Sequence, residues 1–349
     1  MPSGSGLVLT EQPPLRYYDI HNLSLRVESE DQGLFSAMES LTAGFFSLPA
    51  SPPTDNSFIL RGQSVVGREE LPLPDERSYP LSFAGTPDIG LPIRLLVKPP
   101  HERVWLQRDT TVTRCDLGRR QAEAVVVQGH WPSWGFQTLI PLLAEALGRQ
   151  DMFLLHAGAN LWPDGRSCVL FFGASGTGKT TTVLSLACQG WSLLCDDAGF
   201  LTTQQGQPSL WGLPRASKVH HQTFQLLPSL SKIPRKAIAG SEECLVSFRD
   251  LPHVSPRERI PVRAIFLLQP RNTIQHFCSP LTATTVLPRL IQGNMRVIDP
   301  NATDNAGRMF KTLSILCKTT PCYSLSVGPD LTTLPAVIQA LPASKFSAC

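Results

Sequence analysis

The sequence predicts an α/β fold, with a phosphate-loop nucleotide-binding core preceded by a smaller α/β or β-rich region. Residues 173–180, GASGTGKT, match the pattern G-x-x-x-x-G-K-[ST] in full. They stand between an apolar, β-prone run at 167–172 (SCVLFF) and a stretch at 181–189 (TTVLSLACQ) with apolar residues at helical spacing. After that helix, a short apolar run at 191–195 ends in Asp196 and Asp197.

Taken in chain order, residues 1–14 read as disordered. From Leu15, alternation in YYDIHNLSLRVES predicts a strand pair, and 33–46 carries helical periodicity. A Pro-rich loop at 48–55 follows, then strands near 57–61 and 93–97, and a further pair near 104–106 and 124–128. Residues 15–130 thus form the small N-terminal region, and it contains no catalytic motif. The catalytic unit spans 131–349. It opens on an amphipathic helix at 134–147 carrying Phe136, Leu139, Ile140, Leu143 and Leu147.

At the loop, Gly173, Gly176 and Gly178 allow positive φ and bring backbone close to phosphate oxygens without a clashing Cβ. With Ala174, Ser175, Thr177 and Thr181 they form a cradle of backbone N–H groups, aided by the dipole of the following helix. Lys179 supplies a cation to the β- and γ-phosphates, and the Thr180 hydroxyl is placed to ligate Mg²⁺. Gly190 is a natural stop for the helix. Loop strand, helix and acid-ending strand read as a βαβ-like unit of minimal length. Of the two carboxylates, one can hold metal while the other accepts a proton from a hydroxyl. The spacing does not say which is which.

Further on, 210–218 (LWGLPRASK) makes a turn followed by Arg215 and Lys218. Taken by themselves, these cations read as solvated loop residues. His220 and His221 read as surface residues. Strands are expected at 261–268 and 323–327, a helix at 281–296 interrupted by Pro288, and a final helix at 331–341.

Composition bounds the function. The chain has 349 residues, 42% of them hydrophobic and 17% charged, which suits one large or two modest core-forming domains. A net charge of +3, without an aromatic-interleaved basic stripe, argues against a nucleic-acid partner. No apolar run is long enough to span a membrane, and MPSGSG lacks a signal-peptide pattern. Nine dispersed cysteines without a CxxC pair point to reduced thiols and a cytoplasmic setting. There is no G-x-S-x-G elbow, no H-E-x-x-H and no H-R-D with D-F-G set.

The stretch GASGTGKTTTVLSLACQGWSLLCDD resembles the C-terminal catalytic domain of HPr kinase/phosphorylase and its HPr-kinase-related relatives. That family shows a phosphate loop, one helix and then a strand ending in an acidic pair. It also carries a histidine in a strand upstream of the loop, and LLHAGAN offers His156 at the matching place. The resemblance implies a fold related to the phosphoenolpyruvate carboxykinase nucleotide domain. It implies ATP and Mg²⁺ at Lys179 and Thr180, and Asp196, Asp197 and His156 at the phosphoryl-transfer centre. It also places Arg215 and Lys218 on the active-site side, where cations could neutralise a transferring phosphate, and implies a homo-oligomer. The family's glycine-rich second signature is not recognisable, and the likeness does not extend into 15–130. By this likeness the chain is expected to be an ATP-dependent kinase acting on a Ser or Thr hydroxyl of a peptide or small protein. Divergent relatives that tailor ribosomal peptides, including lasso-peptide precursors, offer the nearest analogy. A small-molecule hydroxyl kinase of the same fold and a slow or non-catalytic ATP-binding regulatory module are the alternatives.

Overall fold

A computed structural model describes residues 13–48, 57–75, 77–78, 81–85, 93–98, 100–107, 109–238, 241–270, 273–294 and 303–341. Most of the segment read as disordered (1–12), most of the Pro-rich loop (49–55) and the end of the helix expected at 281–296 lie outside the described residues. The architecture is mixed α/β, built on two nine-stranded sheets and a small three-stranded one.

The first sheet holds the N-terminal region. In spatial order it runs Ser47–Leu48, Leu15–Ile20, Leu23–Ser29, Phe58–Val65, Gln121–Val127, Thr111–Asp116, Glu102–Gln107, Ile93–Lys98 and Leu81–Gly85. The expected alternation is visible in Leu23–Ser29, where Leu23, Leu25 and Val27 point inward. The helix expected at 33–46 runs Gln32–Thr42, started by Asp31, whose Oδ1 accepts the Gly33 N–H at 2.6 Å. Helical segments Trp131–Trp134, Gly135–Leu139 and Ile140–Gly148 pack on the same sheet, in one core with Tyr18, Leu34, Phe35 and Met38. They thus pack into the core of the N-terminal strands, across the boundary expected at 131. That core also takes in Met152, Ala198, Phe200 and Leu213, so it continues into the second unit.

The second sheet runs Phe153–Leu155, Gly199–Gln204, Gln207–Gly212, Arg259–Leu268, Cys168–Phe172, Gly158–Leu161, Leu193–Cys195, with Cys322–Ser326 and Phe277–Leu281 branching from Arg259–Leu268. Cys168–Phe172 is central and all five of its residues are buried, which is why its sequence is an unbroken apolar run. The minimal βαβ unit expected here is corrected. Gly158–Leu161 lies between Cys168–Phe172 and Leu193–Cys195 and is antiparallel to both, so the acid-ending strand is one strand further away. His156 therefore stands in the two-residue link between Phe153–Leu155 and Gly158–Leu161 rather than within a strand.

The helix Ala283–Asn294 is not interrupted at Pro288. The proline sits on the exposed face while Val286 and Leu290 point inward, so its missing N–H costs no buried hydrogen bond. The hairpin Gly199–Gln204/Gln207–Gly212, the strand Phe277–Leu281 and the helix Thr303–Thr319 are not anticipated by the sequence pattern. Ser217–His220, Glu243–Val246 and Arg235–Ala237 form the three-stranded sheet, which carries Lys218 on one outer strand. Among the described residues all eight cysteines are free, and no helix is long and apolar enough to cross a membrane.

Candidate active site

Cys168–Phe172 ends at Gly173, and the chain loops out to Gly178 before the helix Lys179–Ala187 begins. Gly176 (φ +79°) and Gly178 (φ +93°) take the left-handed backbone anticipated for them. Gly173 does not. Its glycine is required because a Cβ would lie 2.8 Å from Thr177 Oγ1 and 3.0 Å from the Leu268 carbonyl oxygen. Thr177 Oγ1 donates to the Ala174 carbonyl at 2.8 Å and holds the loop closed on itself, while Ala174, Ser175 and Gly176 stay exposed.

In the helix, the bond to the Gly178 carbonyl is donated by Thr182 at 2.9 Å. The N–H groups of Thr180 and Thr181 belong to the first turn and have no intrahelical acceptor. Lys179 Nζ donates to the Gly173 carbonyl at 3.0 Å, so its ammonium lies over the loop. The Thr181 side chain turns away, with its buried hydroxyl 3.0 Å from that of Thr223. It has only its backbone N–H to offer an anion. At the other end, Gly190 (φ +88°) closes the helix as expected: Trp191 N–H donates to Leu186 and Gly190 N–H to Ala187.

The acidic pair is split. Asp196 is buried, and its Oδ1 accepts from Thr180 Oγ1 at 3.1 Å. Asp197 has φ +73°, uncommon for a non-glycine residue, and its carboxylate faces elsewhere. Its Oδ1 lies 2.9 Å from His156 Nδ1 and its Oδ2 accepts from Arg215 Nη2 at 2.7 Å. Thr180 and Asp196 are thus brought together as a metal-holding pair would be, and Asp197 is not. Among the described residues no group of three His, Cys, Asp or Glu is placed to hold a metal ion.

The two carboxyls titrate in opposite directions. Burial, and then the charge of Asp197, push Asp196 up to about 6, against the opposing effects of Ser217, Arg215 and Thr180. The buried Ser217 hydroxyl itself finds no partner of regular hydrogen-bond geometry among the described residues. Burial would also raise Asp197. The His156 hydrogen bond and the charges of Arg215, His156 and Lys179 outweigh it and hold this carboxyl well below the usual carboxylate range. A carboxylate kept ionised can only accept, so His156 Nδ1 carries the proton between them. The His156 ring is about half exposed, and its backbone N–H donates to Asn294 Oδ1 at 2.5 Å.

Arg215 and Lys218 share one aromatic neighbour. The Arg215 guanidinium carbon lies 5.6 Å and Lys218 Nζ 5.1 Å from the ring centre of Phe136. Arg215 is largely buried rather than a solvated loop cation. Asn294 and Phe136 are site residues that sequence reasoning missed. Nothing local marks Asn294, and Phe136 reads as one more apolar position of its helix. His220 and Glu242 pair 3.2 Å apart on the surface.

No family model matches the chain. No curated protein matches it either. Among solved structures, the HPr(Ser) kinase/phosphatase from Coxiella burnetii matches over 53% of this chain and 93% of that one, with 13% identity and a TM-score of 0.27. The likeness is a distant one.

Proposed function

We propose that the chain is an ATP-dependent phosphotransferase that moves the γ-phosphoryl group to a hydroxyl, with a Ser or Thr of a peptide or small protein as acceptor. The observation that carries the reading is the division of the acidic pair, with Asp196 on Thr180 and Asp197 on His156 and Arg215. A protein that only bound nucleotide would use Lys179 and Thr180, with no need for a second, separately held carboxylate.

The residues fit Mg·ATP. A Cβ at Gly176 would meet open space, the loop is exposed, and the first-turn N–H groups of Thr180 and Thr181 have no intrahelical acceptor. Thr180 and Asp196 would hold Mg²⁺, which supplies charge neutralisation at the β- and γ-phosphates when bound. Lys179 leaves the Gly173 carbonyl for a phosphate oxygen. Asp197, ionised across the neutral range and therefore a weak base, accepts a hydrogen bond from the acceptor hydroxyl and takes its proton only once the forming O–P bond has made that proton strongly acidic. As that proton leaves, the acceptor oxygen bonds the γ-phosphorus and the β–γ bridging oxygen departs with ADP. His156 holds Asp197 in place through Nδ1, and Arg215 adds positive charge beside it. Among the described residues His156 and the loop are open to solvent, which suits a hydroxyl carried on a larger acceptor.

The test is transfer from γ-labelled Mg·ATP, wild type beside Lys179→Ala. Acceptors are HPr, a pool of Ser- and Thr-containing peptides, and free serine and threonine. Label on a peptide or protein, absent with the variant, is the expected result. Label on free amino acid alone would move the acceptor class, and free phosphate alone would end the transferase reading.

A further inference from the structure

We infer that Phe136 is a positioning residue through which the N-terminal region holds Arg215 and Lys218 at the acceptor side of the site. Its catalytic meaning rests on the phosphotransferase reading above, whereas the positioning itself does not.

Both cations lie within the roughly 6 Å over which an aromatic face attracts a cation. For Arg215 the ring matters more than for an exposed side chain. Its guanidinium is largely buried, Nη2 is committed to Asp197, and among the described residues Nε finds no hydrogen-bond partner. A buried charge with an unmatched N–H needs compensation. The carboxylate of Asp197 supplies part of it, and the Phe136 ring, 5.6 Å from the guanidinium carbon, adds to it. Moving the ring would leave the guanidinium free to swing, and with it the group that holds Asp197 in place.

The local backbone explains how an apparently ordinary helix position reaches the site. Residues Gly135–Leu139 form a π-helical turn between two α-helical segments, a wider turn that displaces side chains from the regular helical face and recurs at functional sites. It is pinned on either side of Phe136. Trp134 Nε1 donates to Thr113 Oγ1 at 2.8 Å, and Gln107 Nε2 donates to Gln137 Oε1 at 2.7 Å. Trp134, Thr138 and Leu139 are buried in the N-terminal region, whereas Phe136 is only partly buried. A regular α-helix would have kept Phe136 on the apolar stripe. The π turn delivers it to the cations.

The experiment compares Phe136→Leu, Phe136→Tyr and Phe136→Trp with wild type, using Arg215→Lys to assign the Arg215 side-chain resonance. In the wild type the Arg215 Nε–H signal should show an aromatic ring-current shift, a measurement that needs no activity and no Phe136 variant. Phe136→Leu should abolish that shift, and Tyr and Trp should keep it. In single-turnover transfer, Phe136→Leu should slow the phosphoryl step between about three-fold and thirty-fold, as loss of a cation–π contact implies. The Kd for Mg·ATP should stay unchanged within about two-fold, with Tyr or Trp restoring the rate. An Arg215 signal without ring-current shift in the wild type would overturn the inference. So would a Phe136→Leu enzyme of unaltered rate, or a rate and ATP affinity that fall together. If the wild type transfers no phosphoryl group at all, the phosphotransferase reading fails, and the resonance shift alone decides the positioning.

Discussion

Thr180 and Asp196 meet in the site, Oγ1 of one donating to Oδ1 of the other at 3.1 Å, across a helix and a strand that is not the neighbour of the loop strand. The next residue, Asp197, shares none of this contact. A left-handed backbone sends its carboxylate to His156 and Arg215. Two adjacent carboxylates with separate partners should fail in separate ways.

On the proposed phosphotransferase reading, Asp197→Asn should keep Mg·ATP affinity within about three-fold while turnover falls by about 10²–10⁴, the usual cost of losing a positioned proton acceptor. Asp196→Asn should instead raise the Mg²⁺ concentration needed for nucleotide binding. Calorimetric titration of each variant with ATP at several Mg²⁺ concentrations, beside single-turnover transfer, separates the two. Identical profiles for both variants would end the division of roles.

Asp196 also predicts a pH dependence of stability. Its folded carboxyl is pushed up to about 6 by burial and by Asp197, while an unfolded aspartate titrates near about 3.9. The folded protein therefore binds this proton more tightly than the unfolded chain. The stability so contributed is fully present below about pH 4 and lost as pH rises through about 6. Urea unfolding without Mg²⁺ should show wild type losing about 2 kcal/mol relative to Asp196→Asn across that window. The figure follows from about 1.4 kcal/mol for each tenfold difference in proton affinity, less an allowance for relaxation of the site. Asp197 does not confuse the window. Its folded carboxyl lies below the usual range, so its contribution is present above about 3.9 and lost only as pH falls further. A flat difference between the two proteins over about pH 4–6.5 would rule out the raised carboxyl.

Gly212 tests the packing that sets the acidic strand in place. A Cβ there would lie 1.8 Å from the Leu194 carbonyl oxygen, two residues before Asp196, and that atom is backbone and cannot step aside. Gly212→Ala should cost about 3 kcal/mol or more, read as a fall in Tm or loss of soluble protein. Gly176→Ala should cost only about 1–2 kcal/mol, because its φ of +79° is strained for alanine while the space around it is open. Equal losses would mean that the Gly212 contact is not tight.

The glycine-rich loop 173–178, its helix and the strand leading into Asp196 and Asp197 were legible as local structure because each is specified locally, by glycines at fixed places and by an apolar run of the right period. The order of the strands was not. Whether Gly158–Leu161 inserts beside Cys168–Phe172 is decided by pairing between distant segments, and four residues of GANL carry no mark of it. Thr303–Thr319 escaped notice because its first half, TDNAGRMFK, has few apolar residues and a glycine. Phe136 shows the subtler failure. Its spacing from Leu139, Ile140, Leu143 and Leu147 is that of a core residue, yet it lies in a π turn, only partly buried, flanked by bonds to Thr113 and Gln107 that sequence spacing does not reveal.

Asp31 holds the N-terminal region together at one point and predicts a large effect far from the site. Its Oδ1 caps the helix Gln32–Thr42 through Gly33, and its Oδ2 accepts from Ser64 Oγ and, at 2.8 Å, from Trp131 Nε1. Trp131 is almost fully buried, so Asp31→Ala removes a helix cap and also takes from a buried indole N–H its charged acceptor, leaving it Ser64 Oγ at 3.0 Å. The two losses together should cost about 2–4 kcal/mol by urea unfolding, with a shift in tryptophan emission from the native state. Asp31→Asn retains a side-chain oxygen for the cap and should recover part of that. Ser64→Ala removes a donor to Asp31, which keeps two others, and one of two acceptors of the Trp131 N–H, which keeps Asp31, and should cost about 1 kcal/mol or less. If Asp31→Ala proved no worse than Ser64→Ala, Asp31 would be an ordinary cap, and the tie between helix, strand and Trp131 would carry no weight.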